Sequence, residues 1–155
     1  MPIKAVVYVS EAGPALAGDV REAVEERLQW LIGDASRFNC NAGVTGVLLF
    51  DGGRFLQYLE GPDDGVDVAY SRVVGATSHS GLVELQRGRV GQRRLPFWSM
   101  HRLSVSPNEL SIVAHSDWTG FRRRGDAEAV NATAMDRLTA LVTPHVGGLA
   151  PSLND

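Results

Sequence analysis

The 155 residues contain one cysteine, Cys40, which excludes an intramolecular disulfide and a cysteine-based zinc site and fits a reducing cytoplasm. The four histidines, His79, His101, His115 and His145, lack the spacing of a metal site, so no metal is expected. Charge of one sign is missing too: 15 Lys and Arg against 18 Asp and Glu leave a net charge of -3. That balance gives no pull toward nucleic acid or an anionic membrane. No apolar run reaches membrane-spanning length, and the N-terminus has no signal-peptide core, so the cytosol is the expected compartment. A Gly-x-Gly-x-x-Gly fingerprint is absent, which excludes a Rossmann cleft, and no paired carboxylate or nucleophile–base signature marks a hydrolase.

What is present is a globular composition, 44% apolar and 21% charged, at a length that suits one domain. At its centre is a hairpin signal. Residues 44–50 and 54–61 are rich in β-branched and aromatic side chains and flank Asp51-Gly52-Gly53. Glycine tolerates the positive φ of tight hairpin turns. Alternation puts Gln57 on one face with Phe55 and Leu59, a carboxamide in an apolar row. A buried amide is costly without partners, so Gln57 needs something to bond, and a polar heterocycle lying on that face is the expected partner.

Residues 3–10 read as a first strand, with Ile3, Ala5, Val7 and Val9 on one face and Val6 and Tyr8 on the other. Two apolar faces place it inside a sheet. A helix is expected over residues 19–37, capped by Asp19, and ended near Asn39 by the turn chemistry of residues 39–43. Cys40 reads as a small packing residue. Pro62-Asp63-Asp64-Gly65 opens a second helix carrying Val66, Ala69, Tyr70 and Val73, and His79-Ser80-Gly81 ends that segment. Residues 82–90 give a fourth strand and residues 97–103 a fifth, paired as a second hairpin. The order predicts an α+β, ferredoxin-like βαββαββ sheet with two helices on one face. Residues 107–115 and 126–142 are amphipathic and are expected as C-terminal helices against the other face, and residues 147–155 as a frayed end.

In such a sheet the first and third strands are central neighbours. Tyr8 and Gln57 then sit side by side under the helices, with Asn39 approaching from the rim. A phenol and two carboxamides frame a hydrogen-bonding site without a strong acid or base, suited to a neutral ring bearing carbonyls and ring nitrogens. The residues alone also allow Tyr8 and Gln57 simply to satisfy each other in the core.

Four stretches together carry a resemblance: Tyr8-Val9-Ser10, Asn39 to Gly46 ending Val44-Thr45-Gly46, Phe55-Leu56-Gln57-Tyr58-Leu59-Glu60-Gly61, and Phe97-Trp98-Ser99-Met100. They resemble, in the same order, the BLUF family of flavin-based blue-light sensors. The resemblance implies FAD bound non-covalently between the first two helices, with its ring system facing the sheet. Tyr8 then matches the photoactive tyrosine, Gln57 the switching glutamine and Asn39 the asparagine that bonds the ring. Arg72 and His79 fall where the family has polar residues near the lower part of the cofactor. Trp98 and Met100, expected on one face of the fifth strand, match the pair linked to signalling. An Asp-x-Arg-His is common near the end of the family's second helix, and here the stretch is Ala76-Thr77-Ser78-His79.

The implied division is residues 1–104 as the flavin-binding domain, 105–146 as a C-terminal helical extension and 147–155 as a flexible tail. The implied activity is light sensing and not enzymatic turnover, since nothing after residue 104 suits a cyclase or phosphodiesterase. Output is expected through the fifth strand and C-terminal helices to a downstream signalling protein, in a homo-oligomer, without direct contact to nucleic acid or membrane. The alternative is a non-photoactive ligand-binding or oligomerisation module of the same fold.

Overall fold

β1 (Ile3–Ala12) lies inside a five-stranded sheet, as a strand with two apolar faces must. Ala5 and Val7 are buried on one side of it, Val6 and Tyr8 on the other. The computed structural model describes residues 2–12, 21–75 and 79–146. The other strands are β2 (Thr45–Phe50), β3 (Arg54–Pro62), β4 (His79–Arg89) and β5 (Arg102–Ser104), in the order β4-β1-β3-β2-β5. β1 pairs antiparallel with β3 and β4, β2 antiparallel with β3, and β5 parallel with β2.

Two helices, α1 (Arg21–Ala42) and α2 (Asp63–Val74), cover the front of the sheet. A Cβ on Gly65 would collide with the carbonyl oxygen of Ala42, so glycine lets α2 begin hard against the end of α1. The back is covered by α3 (Pro107–Ala114) and α4 (Ala134–Val146), joined through a 3-10 turn at Thr119–Phe121. Leu110, Val113, Phe121, Met135 and Leu138 from this layer meet Val7, Leu49 and Leu56 of the sheet. The α+β, ferredoxin-like arrangement with helices on both faces is therefore present.

Several boundaries move. α1 runs on to Ala42 instead of ending near Asn39. Gly43, at φ 73, follows the helix; its N–H reaches the Cys40 carbonyl at 3.2 Å and the Val44 N–H reaches that of Asn39 at 2.8 Å. This is a Schellman stop set by one glycine, not by the Asn-rich run before it. His79 starts β4 opposite Ala12 and does not close the preceding segment. α4 starts at Ala134, not residue 126, because Thr133 and Asp136 cap each other: Asp136 N–H to Thr133 Oγ1 at 3.1 Å, Thr133 N–H to Asp136 Oδ2 at 2.9 Å. The expected Asp19 cap, the Ala76-Thr77-Ser78 stretch and the tail 147–155 lie outside the described residues.

The largest correction concerns the fifth strand. Only Arg102–Ser104 is strand, and it sits at the far edge beside β2, not in a hairpin with β4. Ahead of it, the Trp98 carbonyl accepts from Gly46 N–H at 2.9 Å and the His101 carbonyl from Leu48 N–H at 2.8 Å. Three steps along this segment therefore match two along β2, and the surplus residue breaks the alternation as a bulge does. Trp98 and Met100 consequently do not share a face: Met100 joins the front cluster, and Trp98 packs against the back one.

Candidate functional site

Tyr8 on β1 and Gln57 on β3 are direct cross-strand partners, and strand alternation sends both to the front. They are 1% and 8% exposed. The Tyr8 hydroxyl donates to Gln57 Oε1. At the other end of the amide, Gln57 Nε2 points at Met100 Sδ, 3.6 Å away, a weak acceptor. Burial, and then the neighbouring Tyr70, push the Tyr8 phenol well above its ordinary pKa, so it keeps its proton and acts as a donor. The Tyr70 ring stands edge-on to it at 5.5 Å.

Over this pair opens a cleft of about 300 Å³ between α1, α2 and the sheet. Leu28, Leu31, Ile32 and Ala35 of α1 form one wall, with Leu48, Phe55, Val73 and Met100 around it. Among the described residues the polar lining is Tyr8, Ser10, Gln57 and Arg72. Apolar walls with a few convergent polar groups are the ordinary make-up of a small-molecule site. This one suits a flat aromatic ring with hydrogen-bonding atoms along its edge.

Arg72, in the last turn of α2, pairs with Asp34 of α1 and stands 5.2 Å over the Phe38 ring, so it bridges the two helices at the cleft. Asn39, in the last turn of α1, is 4% exposed, yet it is not part of the cleft lining. Its Nδ2 donates to the Ser99 carbonyl at 2.9 Å, and Ser36, one turn earlier, shares a hydrogen bond with the Ser99 hydroxyl at 2.6 Å. Both therefore tie the segment around Met100 to α1. Trp98 faces away from the cleft, its ring stacked on His101 with centroids 4.2 Å apart. The side chain of His79 lies outside the described residues. Cys40 is exposed, contrary to its expected packing role. Thus Tyr8, Gln57, Arg72 and Met100 come together, Asn39 stands beside them, and Trp98 belongs to the opposite face.

The sequence motifs include Ser10 only as the end of Tyr8-Val9-Ser10, without a role, and do not single out Ser36 or Asp34. Ser10 was within reach, being two residues beyond Tyr8 on the same strand face. Ser36 precedes Asn39 by three, one helical turn, whereas the Asp34–Arg72 pair joins two helices and has no local signal. Among the described residues no three His, Cys, Asp or Glu side chains are grouped to hold a metal ion. No described helix is long and apolar enough to cross a membrane.

A family model described as "BLUF: Sensors of blue-light using FAD" matches residues 3–101. The blue light- and temperature-regulated antirepressor BluF of Escherichia coli (strain K12) is 37% identical over 60 residues, which are 39% of this chain and 15% of that protein. Among solved structures, Klebsiella pneumoniae BlrP1 in a manganese/cy-diGMP complex at pH 6 is 30% identical, with 66% of this chain and 24% of that one covered and a TM-score of 0.56. BlrB, a BLUF protein in its dark state, is 27% identical, with 73% and 79% covered and a TM-score of 0.56. The chain thus spans 15% of the curated relative and about a quarter of the Klebsiella protein.

Proposed function

The chain belongs to the BLUF family, and on that premise we propose that it is a blue-light photoreceptor whose chromophore is FAD, held non-covalently in the cleft over Tyr8 and Gln57. The observation that carries this reading is the buried Tyr8 hydroxyl donating to Gln57 Oε1 on the cleft floor. The lining fits a flavin ring: aliphatic side chains for its faces, and a carboxamide for its polar edge. The assignment of FAD, and not a shorter flavin, follows the family description.

When bound and illuminated, the flavin supplies an oxidant. Tyr8 would hold the electron and the phenol proton that such an oxidant takes up, and its existing hydrogen bond to Gln57 Oε1 sets the path open to that proton. Gln57 carries a donor and an acceptor on one planar group: rotation would exchange which end faces Tyr8 and which faces Met100, and tautomerisation would exchange their donor and acceptor roles in place. Arg72 lies in the lining and holds the two helices together there. Asn39 and His79 are assigned to the cofactor by resemblance; Asn39 reaches it only if its amide also serves, or leaves, Ser99. The change then passes through Met100 and Trp98 to α3 and α4, and on to a downstream signalling protein in a cytosolic homo-oligomer. In this reading residues 1–104 sense light, and residues 105–146 report it.

A dark-minus-light absorption spectrum of the purified chain is the test. The protein is expected to be yellow, and its flavin band to shift reversibly to the red under blue light. Tyr8→Phe, and Gln57→Leu or Glu, are expected to remain yellow and lose the shift. A full photocycle in Tyr8→Phe overturns the assignment.

A further inference from the structure

We propose that Glu60 is a positioning residue: from the back of the sheet it sets where the Trp98–His101 segment lies, and thereby how Met100 meets Gln57. Glu60 is 0% exposed. It sits on β3 three residues after Gln57, and alternation therefore sends it to the opposite face, beside Tyr58.

Three donors converge on its carboxylate. The Tyr58 hydroxyl reaches Oε1 at 2.7 Å, Arg94 N–H reaches Oε1 at 2.8 Å and Leu95 N–H reaches Oε2 at 2.7 Å. An acceptor-only group fits all three. Burial raises the pKa of Glu60, against the pull of these bonds and of Arg93, so the environment is costly for its charge. A buried charge is a poor source of stability, and its best-attested use is to fix one arrangement among several.

The arrangement fixed here is that of residues 93–95, which lead directly into the Trp98 segment. Two of the three donors are consecutive backbone amides of this stretch. Arg93 clamps the same stretch from outside, bonding the Gly43 carbonyl at 2.6 Å and Thr45 Oγ1 at 2.9 Å. Leu95, 1% exposed, anchors it in the back core. Downstream, Ser99 is tied to α1 through Ser36 and Asn39. The Met100 sulfur thus depends on two moorings, one on α1 and one on Glu60.

The importance of this mooring for light sensing rests on the function proposed above, but its geometry is testable without light. The chain has three methionines, Met1, Met100 and Met135, so a methyl-labelled sample of the full protein gives a spectrum simple enough to assign. In Glu60→Gln the amide cannot accept from all three donors. Whichever of the Arg94 and Leu95 amides then faces the new NH2 group is expected to exchange with solvent about tenfold faster or more, the factor equivalent to about 1.4 kcal/mol. The Met100 methyl and Gln57 side-chain amide resonances are expected to move, while the Met135 methyl stays. Tyr58→Phe removes one donor and leaves both backbone bonds, so it is expected to lower stability without moving Met100. Should Glu60→Gln not fold, Arg93→Ala loosens the same stretch from the surface and reads the same resonances.

Met100 and Gln57 signals at wild-type positions in Glu60→Gln, or in Arg93→Ala where that is the folded variant, overturn the proposal. So does a Tyr58→Phe shift as large as that of Glu60→Gln. A chain that shows the expected shifts but no light-induced absorption change refutes the light-sensing reading and leaves the mooring standing.

Discussion

The two faces of this sheet are built from the same strands and finished differently. On the back, Val7, Leu49 and Leu56 meet Leu110, Phe121, Met135 and Leu138 in a continuous core, each 0–1% exposed. On the front, the neighbouring residues of those strands meet α1 and α2 around a cleft of about 300 Å³. Each face also holds a buried phenol with a hydrogen-bonded acceptor. Tyr8 faces a neutral amide beside the cleft, and Tyr58 a carboxylate inside the core. The lesson is a division of labour by alternation: odd and even positions of one strand line the closed core and the open cleft separately.

The steepest test of that division is a pair of truncations. Leu138→Ala empties space in the back core and is expected to cost about 2–5 kcal/mol in urea unfolding. Leu31→Ala, on a wall that already borders open space, is expected to cost about 2 kcal/mol or less in the flavin-free chain. Equal losses would break the comparison.

Next comes Asp136, 2% exposed at the start of α4 on the back. Burial alone would raise its pKa, but backbone N–H groups of Thr133, Gly125 and Arg124 outweigh it and hold the carboxyl below its ordinary value. Between the lowered folded value and the unfolded value of about 3.9 the unfolded chain binds more protons. This contribution is therefore complete above pH of about 4 and is lost as the pH falls through the folded value. Asp136→Asn is expected to cost about 2–3 kcal/mol at neutral pH, and the gap from wild type should narrow on acidification.

The smallest stability effects separate the two phenols. Tyr58→Phe gives up a hydrogen bond to a charged group, worth about 1.5–3 kcal/mol, and should leave the light-induced spectrum intact. Tyr8→Phe gives up a bond to a neutral amide, worth about 0.5–1.5 kcal/mol, and should lose the light response. Light-induced difference spectra on both variants sharpen the contrast, and a reversed pattern would erase it.

Much of the front face was legible in the chain. Period-2 alternation and the Asp51-Gly52-Gly53 tip place Tyr8 and Gln57 on one side of adjacent strands, because that periodicity depends only on local geometry. What escaped depends on counting between distant segments. The surplus residue between Trp98 and His101 exists only relative to Gly46–Leu48, so no local pattern announces it, and alternation alone puts Trp98 on one face with Met100. The place of Arg102–Ser104 beside β2 is likewise a matter of long-range pairing. The Asn39 boundary failed for a different reason: several turn-forming residues were present, and the left-handed position went to Gly43.

That surplus residue has an architectural consequence. A packed sheet is a wall, and its interior strands offer no passage from one room to the other. At the rim beside β2, a single bulge lets two large side chains only two positions apart look into different rooms. The covalent path between them is two residues long, so a link from one room to the other needs no opening in the masonry between.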